Sequence, residues 1–166
     1  METRLKIVVF GAFGAGKTTL VRTLDPASRH IEANCAGGTT TVGLDFGRIR
    51  HNGCTIHLYG TPGQERFSFA REIIATCMDG AILLVDVTVP VDDFTSDLAQ
   101  SLNAVRVPYV VFLNKCDGAG ADPGAFAGLS GSAGIRRISA RDPVQCRDAL
   151  LEFAGTLEPH TTSRTG

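Results

Sequence analysis

The 166-residue chain is 43% hydrophobic and 20% charged, proportions that fit one globular domain with a single core. Its formal net charge of −1 gives no basic field for nucleic acid or acidic lipid, so neither partner is expected. Five scattered cysteines form no C-x-x-C pair, which argues against a zinc site or disulfide framework and favours mostly buried thiols in a reducing compartment. No run approaches membrane-spanning length, and we expect a cytoplasmic protein without a signal peptide or intrinsic membrane anchor.

Runs rich in β-branched residues alternate with helical periodicity, which is typical of an α/β fold with a doubly wound sheet. The apolar residues 5–10 predict the first strand, and the spacing of Leu20, Val21 and Leu24 predicts the helix after it. Pro26 interrupts that periodicity, and residues 26–40 are polar and aperiodic. We therefore expect a long irregular loop there, a kind of segment that is usually functional.

A hairpin follows, because Asn52 and Gly53 form a turn signal between the strand-like residues 41–50 and 54–59. These two strands are expected to pair antiparallel, whereas helical segments separate the later strands, which must therefore be parallel. The later strands are expected at 81–87, 107–113 and 135–138. The later helices are an amphipathic one carrying Phe94, Leu98, Leu102 and Val105, a short one opened by Asp122-Pro123, and a last one opened by Asp142-Pro143 that buries Leu150, Phe153 and Leu157.

The segment from Gly11 to Thr18 matches G-x-x-x-x-G-K-[ST] between a strand and a helix, the context in which this motif binds phosphate. Glycines let the backbone wrap a phosphate chain closely, and the N–H groups and helix N-terminus attract its charge. Lys17 would supply a cation to the β- and γ-phosphates, and the Thr18 hydroxyl would bind Mg²⁺. The alternative is a plain glycine-rich turn with a solvated Lys17. The expected phosphate-binding residues are Phe13, Gly14, Ala15, Gly16, Lys17, Thr18 and Thr19.

A second candidate segment, Asn114, Lys115 and Asp117, follows a buried strand, and sheets of this kind bind ligands at the carboxyl ends of their strands. The Asp117 carboxylate can accept hydrogen bonds from N1 and N2 of guanine, whereas adenine has no N2 amine. Asn114 would lie near N7, the Lys115 stem would cover the base, and the N–H groups of residues 139–141 would meet O6. Either segment could instead be an ordinary polar loop, but their order after the phosphate loop favours a guanine site. The expected guanine-binding residues are Asn114, Lys115, Asp117, Ser139, Ala140 and Arg141.

A third candidate segment leaves the second hairpin strand and carries Gly63 and Gln64. The Gly63 N–H can approach a γ-phosphate, and the Gln64 amide has both a donor and an acceptor with which to orient an attacking water. Pro62-Gly63 could also be simple turn punctuation. The position of the loop favours the first interpretation, so Lys17, Gln64 and Gly63 are the expected catalytic residues.

Together these segments resemble the five signature motifs of the Ras-like small GTPases, with matching order and spacing over residues 4–158. The matching segments are residues 11–18, 41–46, 63–67, 114–117 and 139–140. Residues 41–48 and 60–67 are most similar to the actinobacterial conservon-encoded small GTPases, and less closely to the gliding-motility polarity GTPases. The resemblance implies a P-loop NTPase fold of three α/β/α layers, with a six-stranded mixed sheet ordered 2-3-1-4-5-6 and strand 2 antiparallel.

The same resemblance implies a G domain over residues 1–158, which leaves residues 159–166 as a disordered polar tail. It implies GTP or GDP as ligand and switch segments near 26–45 and 60–78. Mg²⁺ would be held by Thr18 and by Thr41, with the neighbouring residues 39 and 40 as alternatives to Thr41. The implied partners are a roadblock/LC7-type regulatory protein and a sensor-kinase-like complex that could recruit the chain to a membrane.

Two residues depart from the family pattern. Relatives usually carry an aspartate at the position of Gly60, and that acid holds a water on the magnesium. We therefore expect weaker Mg²⁺ binding here, and tighter Mg²⁺-dependent GDP retention in Gly60→Asp. Asp86 is an alternative source of the acid, although a structural role at its strand exit is more usual among relatives. Phe13 is bulky where many relatives have a small residue, and it lies near the path of a partner's arginine finger. We therefore expect any activator to work by reshaping the switches instead of inserting an arginine, and we expect unassisted turnover to be slow.

The favoured interpretation is a molecular switch that hydrolyses GTP slowly without an activator. The alternative is a non-hydrolysing GTP/GDP-binding scaffold or regulatory subunit, in which the missing acid marks lost chemistry. A P-loop kinase would need an arginine-bearing lid and an acceptor pocket, and the segment at 114–117 argues against it. The dispersed histidines are interpreted as surface or hairpin residues, not as ligands: His30, His51, His57 and His160.

Overall fold

The computed structural model describes residues 2–34, 41–61, 77–129, 131 and 133–159, with backbone alone for residues 31–34, 41 and 42. The strands in this part of the chain are β1 (Thr3–Phe10), β2 (Arg29–Asn34), β3 (Thr41–His51), β4 (Cys54–Gly60), β5 (Gly80–Asp86), β6 (Tyr109–Asn114) and β7 (Ile135–Arg137). The helices are α1 (Lys17–Leu24), α2 (Asp93–Ala104) and α3 (Pro143–Ala154), with a 3₁₀ helix at Pro123–Leu129.

The strands form one mixed sheet in the order β2-β3-β4-β1-β5-β6-β7, which confirms the predicted α/β fold. The six expected strands have the expected order, but a seventh, β2, pairs antiparallel with β3 at the edge. The prediction of an irregular loop over residues 26–40 is therefore wrong for residues 29–34. β3 also pairs antiparallel with β4 around Asn52 and Gly53, whose φ angles of 47° and 75° are those of the predicted turn. The other pairings between these strands are parallel.

Strand β1 shows why the sheet is covered on both faces. Ile7 and Val9 pack into a buried cluster with α1 and α3, whereas Val8 and Phe10 pack into a second cluster with α2 and the 3₁₀ helix. Successive side chains of a strand point to opposite faces, so both faces of β1 are apolar and its sequence is continuously hydrophobic. This arrangement gives three α/β/α layers.

The helices lie where the sequence predicts them, although their apolar faces differ in detail. The Asp92 carboxylate accepts a hydrogen bond from the backbone of Thr95 at the start of α2. Leu98 and Leu102 are buried as expected, but Val105 lies beyond the end of α2 and is exposed. Asp142 caps α3 in the same manner. The short helix predicted after Asp122 is a 3₁₀ helix, and the expected core residues of α3 and its exit are buried: Leu150, Phe153 and Leu157.

The expectation of mostly buried thiols is wrong for the described cysteines. Cys146 is buried, Cys54 and Cys116 are half-buried, and Cys77 is exposed. Among the described helices, none is long and apolar enough to cross a membrane. The predicted tail, residues 159–166, lies outside the described residues except for Pro159.

Candidate functional site

A cavity of about 770 Å³ opens beside the carboxyl ends of β1, β5 and β6, the edge at which open α/β sheets bind ligands. The phosphate-loop segment lines one part of it, and the segments after β6 and β7 line another. The structure thus brings together three segments that are far apart in sequence. The predicted site residues that line the cavity are Phe13, Gly14, Gly16, Lys17, Thr18, Thr19, Asn114, Lys115, Asp117, Ser139, Ala140 and Arg141.

The loop between β1 and α1 has the tight geometry that its glycines predict. Gly16 precedes α1 with a φ angle of 106°, and a Cβ there would lie 2.6 Å from Asn114 Nδ2. Both the backbone angle and the close approach require glycine. The buried Lys17 ammonium donates hydrogen bonds to the carbonyls of Gly11 at 2.6 Å and Ala12 at 3.0 Å. The loop therefore holds the positively charged Lys17 ammonium in a fixed position.

Ala15 is the one predicted phosphate-loop residue that does not line the cavity, because its side chain is buried in the core. Its carbonyl accepts a hydrogen bond from Asn114 Nδ2 at 3.0 Å, and Asn114 Oδ1 accepts one from the Ala140 N–H at 2.9 Å. The buried Asn114 amide therefore joins the phosphate loop to the segment after β7. It positions both segments, and the predicted contact with guanine N7 remains a prediction.

Lys115 lies in the cavity wall and connects the end of β5 with the phosphate loop. Its φ angle of 66° is unusual for a residue other than glycine, and its ammonium lies 2.8 Å from Asp86 Oδ2 and 3.0 Å from the Gly14 carbonyl oxygen. Asp86 also accepts hydrogen bonds from the backbone and hydroxyl of Thr88. Burial alone would raise the pKa of the Asp86 carboxyl, but the hydrogen bonds from Lys115 and Thr88 outweigh it and hold that pKa below its ordinary value. Asp86 thus has the structural role considered for it, because it fixes Lys115 and Thr88 at the end of β5.

The predicted O6 donors are largely occupied within the protein. The Ser139 N–H donates to Gln145 Oε1 at 2.9 Å, and the Ala140 N–H donates to Asn114. Only the third member of the tripeptide, Arg141, carries no such backbone contact in the described structure. Asp117 is exposed at the cavity rim, where a ligand can reach its carboxylate.

The sequence analysis missed an acid and a histidine in the cavity wall, namely Asp45 on β3 and His30 on β2. The Thr18 hydroxyl donates to Asp45 Oδ2 at 2.6 Å, and His30 Nδ1 lies 3.2 Å from Asp45 Oδ1. The signal for Asp45 was its place in the motif at residues 41–46. His30 belongs to the strand that the sequence did not predict, and interpreting it as a surface histidine overlooked its position in the cavity wall.

Two predicted catalytic residues and the side chain of one predicted magnesium ligand lie outside the described part of the chain. Gly63 and Gln64 lie outside the described residues, and only the backbone of Thr41 is described. The chain approaches the third segment through Thr61, which is buried and whose N–H and hydroxyl both contact the Val9 carbonyl. Phe13, which also lines the cavity, is 82% exposed.

The arrangement has two chemically different ends. At one end are the Lys17 cation, the loop backbone and the Thr18 hydroxyl paired with the Asp45 carboxylate, a set suited to phosphates and a cation that prefers oxygen ligands. At the other end the Asp117 carboxylate can accept hydrogen bonds from a base that carries adjacent donors. A nucleotide with two or more phosphates matches both ends.

Comparisons with known proteins identify the family and the fold of this chain. Residues 36–129, more than half of the chain, match the family described as the elongation factor Tu GTP binding domain. The chain is 32% identical over 116 residues to an uncharacterized protein of Methanocaldococcus jannaschii, a match that covers 70% of this chain and 73% of that protein. It is 34% identical over 124 residues to translation initiation factor IF-2 of Mesoplasma florum, covering 74% of this chain but only 19% of the factor. The small GTPase Arl6 (BBS3) of Trypanosoma brucei, solved with the nucleotide analogue GppNp, superimposes with a TM-score of 0.66 at 21% identity, covering 93% of this chain and 97% of that one.

Proposed function

Because this chain belongs to the elongation factor Tu GTP-binding domain family, we propose that it is a guanine-nucleotide-dependent molecular switch that hydrolyses GTP slowly. The main support for this proposal is that the phosphate loop, the segment after β6 and the segment after β7 line the same cavity. GTP and GDP would alternate in this cavity, and the segments near 26–45 and 60–78 would respond to the γ-phosphate.

At the phosphate end, Lys17 would contact the β- and γ-phosphates, and the Thr18 hydroxyl would hold Mg²⁺ together with an oxygen from residue 41. The oxygen-rich donor set around Thr18 fits this ion. When bound, Mg²⁺ neutralises phosphate charge. Lys17 would contribute fixed positive charge there, because its contacts with the loop carbonyls hold the ammonium in place before nucleotide arrives.

At the base end, Asp117 would accept hydrogen bonds from guanine N1 and N2. The Lys115 stem, stretched between Asp86 and the phosphate loop, would form one wall of the base pocket. Asn114 would act as a positioning residue that keeps these two parts of the site in register.

Hydrolysis would depend on Gln64, which we assign to orienting the attacking water, and on the Gly63 N–H at the γ-phosphate. Phe13 is an exposed residue of the phosphate loop itself, and a partner's arginine would enter near it. The arrangement favours an activator that reshapes the switch segments instead of inserting an arginine, and unassisted turnover would be slow. The finer likeness to conservon-encoded GTPases, and with it a roadblock/LC7-type partner and a sensor-kinase-like complex, is supported by the sequence resemblance.

Single-turnover hydrolysis of bound GTP in Mg²⁺ tests the proposal. Gln64→Leu should slow phosphate release about tenfold or more, since water orientation lowers the barrier without strengthening GTP binding. Gln100→Leu makes the same change on the exposed face of α2 and should have no effect. Equal rates in wild type and Gln64→Leu would remove Gln64 from the mechanism.

The alternative is a non-hydrolysing GTP/GDP-binding scaffold or regulatory subunit, which the replacement of the usual acid by Gly60 favours. The same assay separates the two functions. A wild-type chain that retains GTP without releasing phosphate is a scaffold, whereas measurable release that depends on Gln64 identifies a switch.

A further inference from the structure

Gly60 faces an acid on the neighbouring strand. In the antiparallel pairing of β3 with β4, Asp45 lies directly opposite Gly60. A Cβ added at Gly60 would lie 3.2 Å from Asp45 Cβ and 3.5 Å from Asp45 Oδ2. Opposed Cβ atoms are normally about 4.5–5.5 Å apart, so a side chain at residue 60 would crowd Asp45. The glycine leaves the space that the Asp45 carboxylate occupies.

The Asp45 carboxylate is fixed at both oxygens. Oδ2 accepts the Thr18 hydroxyl hydrogen bond at 2.6 Å, and Oδ1 lies 3.2 Å from His30 Nδ1. The Asp45 side chain is only 14% exposed and lines the cavity. An ionised carboxylate has about four lone-pair sites, so these two contacts leave acceptor capacity for a water bound to an ion.

The partner of Asp45 is the hydroxyl that the proposed function assigns to Mg²⁺. A threonine hydroxyl has one hydrogen and two lone pairs, so Thr18 can donate to Asp45 and still direct a lone pair at a cation. The carboxylate would thereby orient the hydroxyl and raise its electron density, the effect that supporting hydrogen bonds have on metal ligands.

We propose that Asp45 supplies from β3 the magnesium-site carboxylate that is missing at residue 60 of β4. It orients Thr18 and accepts a hydrogen bond from a magnesium-bound water. This inference rests on the proposed function. It replaces the expectation that Gly60 weakens magnesium binding. It also excludes Asp86 as the source of the missing acid, because Asp86 lies on β5, where Lys115 and Thr88 hold its carboxylate.

Release of a fluorescent N-methylanthraniloyl-GDP, followed over free Mg²⁺ concentrations set with EDTA, tests the proposal. Asp45→Asn keeps the size of the side chain and an acceptor for Thr18 but removes the charge. We expect it to need about 10–100-fold more free Mg²⁺ to reach slow release, the usual cost of losing a residue that supports a metal ligand. Its release rate in EDTA should equal that of wild type. Asp97→Asn makes the same change on the exposed face of α2 and should leave the Mg²⁺ midpoint unchanged.

A second experiment uses a double variant, called the relocation variant, in which the carboxylate changes strands. Asp45→Gly combined with Gly60→Asp moves the carboxylate back to β4 and should restore the Mg²⁺ midpoint lost in Asp45→Gly alone. Gly60→Asp alone places two carboxylates face to face and should not tighten Mg²⁺ binding, in contrast to the expectation from sequence.

Three results would overturn the inference: a wild-type Mg²⁺ midpoint in Asp45→Asn, equal acceleration of release with and without Mg²⁺, or a folded relocation variant no better than Asp45→Gly. If Asp45→Asn does not fold, the relocation variant decides alone. Failure of the proposed function looks different. If the protein does not bind guanine nucleotide, wild type retains no GDP at any Mg²⁺ concentration, and if it binds but does not hydrolyse GTP, only the phosphate-release assay changes.

Discussion

The Asn114 bridge allows a quantitative prediction. Its two hydrogen bonds satisfy the Ala15 carbonyl and the Ala140 N–H, and both alanines are 2% exposed. A buried backbone group left without a partner costs about 1–3 kcal/mol. Because Asn114 also lines the cavity, water can partly replace its amide, so we expect Asn114→Ala to destabilise the protein by about 3 kcal/mol in total, near the lower end of the summed range. For a chain of this size that lowers Tm by about 6–12 °C.

Thermal unfolding of nucleotide-free protein measures this effect, because bound nucleotide would add its own stabilisation. Asn103→Ala removes the same side chain from an exposed position on α2 and should change stability by less than about 0.5 kcal/mol. Asn114→Asp keeps the acceptor for Ala140 but places an oxygen against the Ala15 carbonyl, so it should be at least as damaging as alanine. A Tm within about 2 °C of wild type for Asn114→Ala would refute the reasoning that the bridge stabilises the loops.

Asp117→Asn should lower GDP affinity by about 10³-fold or more and favour xanthosine diphosphate, because xanthine carries a C2 carbonyl that an amide can contact. Competition of GDP and xanthosine diphosphate against fluorescent GDP measures the preference. An unchanged preference for GDP would contradict the role assigned to Asp117. Burial, with a further contribution from Asp142, raises the pKa of the Cys146 thiol from 9.0 to about 11. The unfolded thiol therefore ionises first, and the free energy of unfolding should fall as the pH rises from about 9 towards 11. Urea unfolding at about pH 8 and about pH 10 should show a smaller loss of stability in Cys146→Ala than in wild type, and identical losses would contradict the assignment.

Strong local signals explain which parts of the fold could be predicted from sequence. The continuous apolar runs of β1, β5 and β6 are buried on both faces, so their type and position follow from composition alone. The Asn52-Gly53 turn fixes the hairpin, and Asp142 caps the helix that follows it. In each case the deciding interaction lies within a few residues of the signal.

Strand β2 could not be predicted because its stability comes from a distant partner. Residues 29–34 read Arg-His-Ile-Glu-Ala-Asn, with little of the β-branched and aromatic content that marks strands. They become a strand by completing the backbone hydrogen bonds along the free edge of β3. Asn114 illustrates the same difficulty within the site, since its sequence neighbours indicate a contact with ligand while its actual partners, Ala15 and Ala140, are 99 and 26 positions away.

The pairing of Asp45 with Gly60 was available from sequence but required the hairpin to be considered as a unit. A two-residue turn at 52 and 53 sets His51 against Cys54, and counting outwards from that pair sets Asp45 against Gly60. Considered alone, Gly60 suggests a lost acid and therefore lost chemistry. Considered with its cross-strand partner, it is the small residue that admits a carboxylate from the other strand, with the charge still within reach of Thr18. Because opposed positions of a hairpin share one face, a catalytic or metal-site carboxylate can move between them while the location of the charge changes little. Such a site therefore needs one carboxylate on either of the two paired strands, and the relocation variant tests that idea directly.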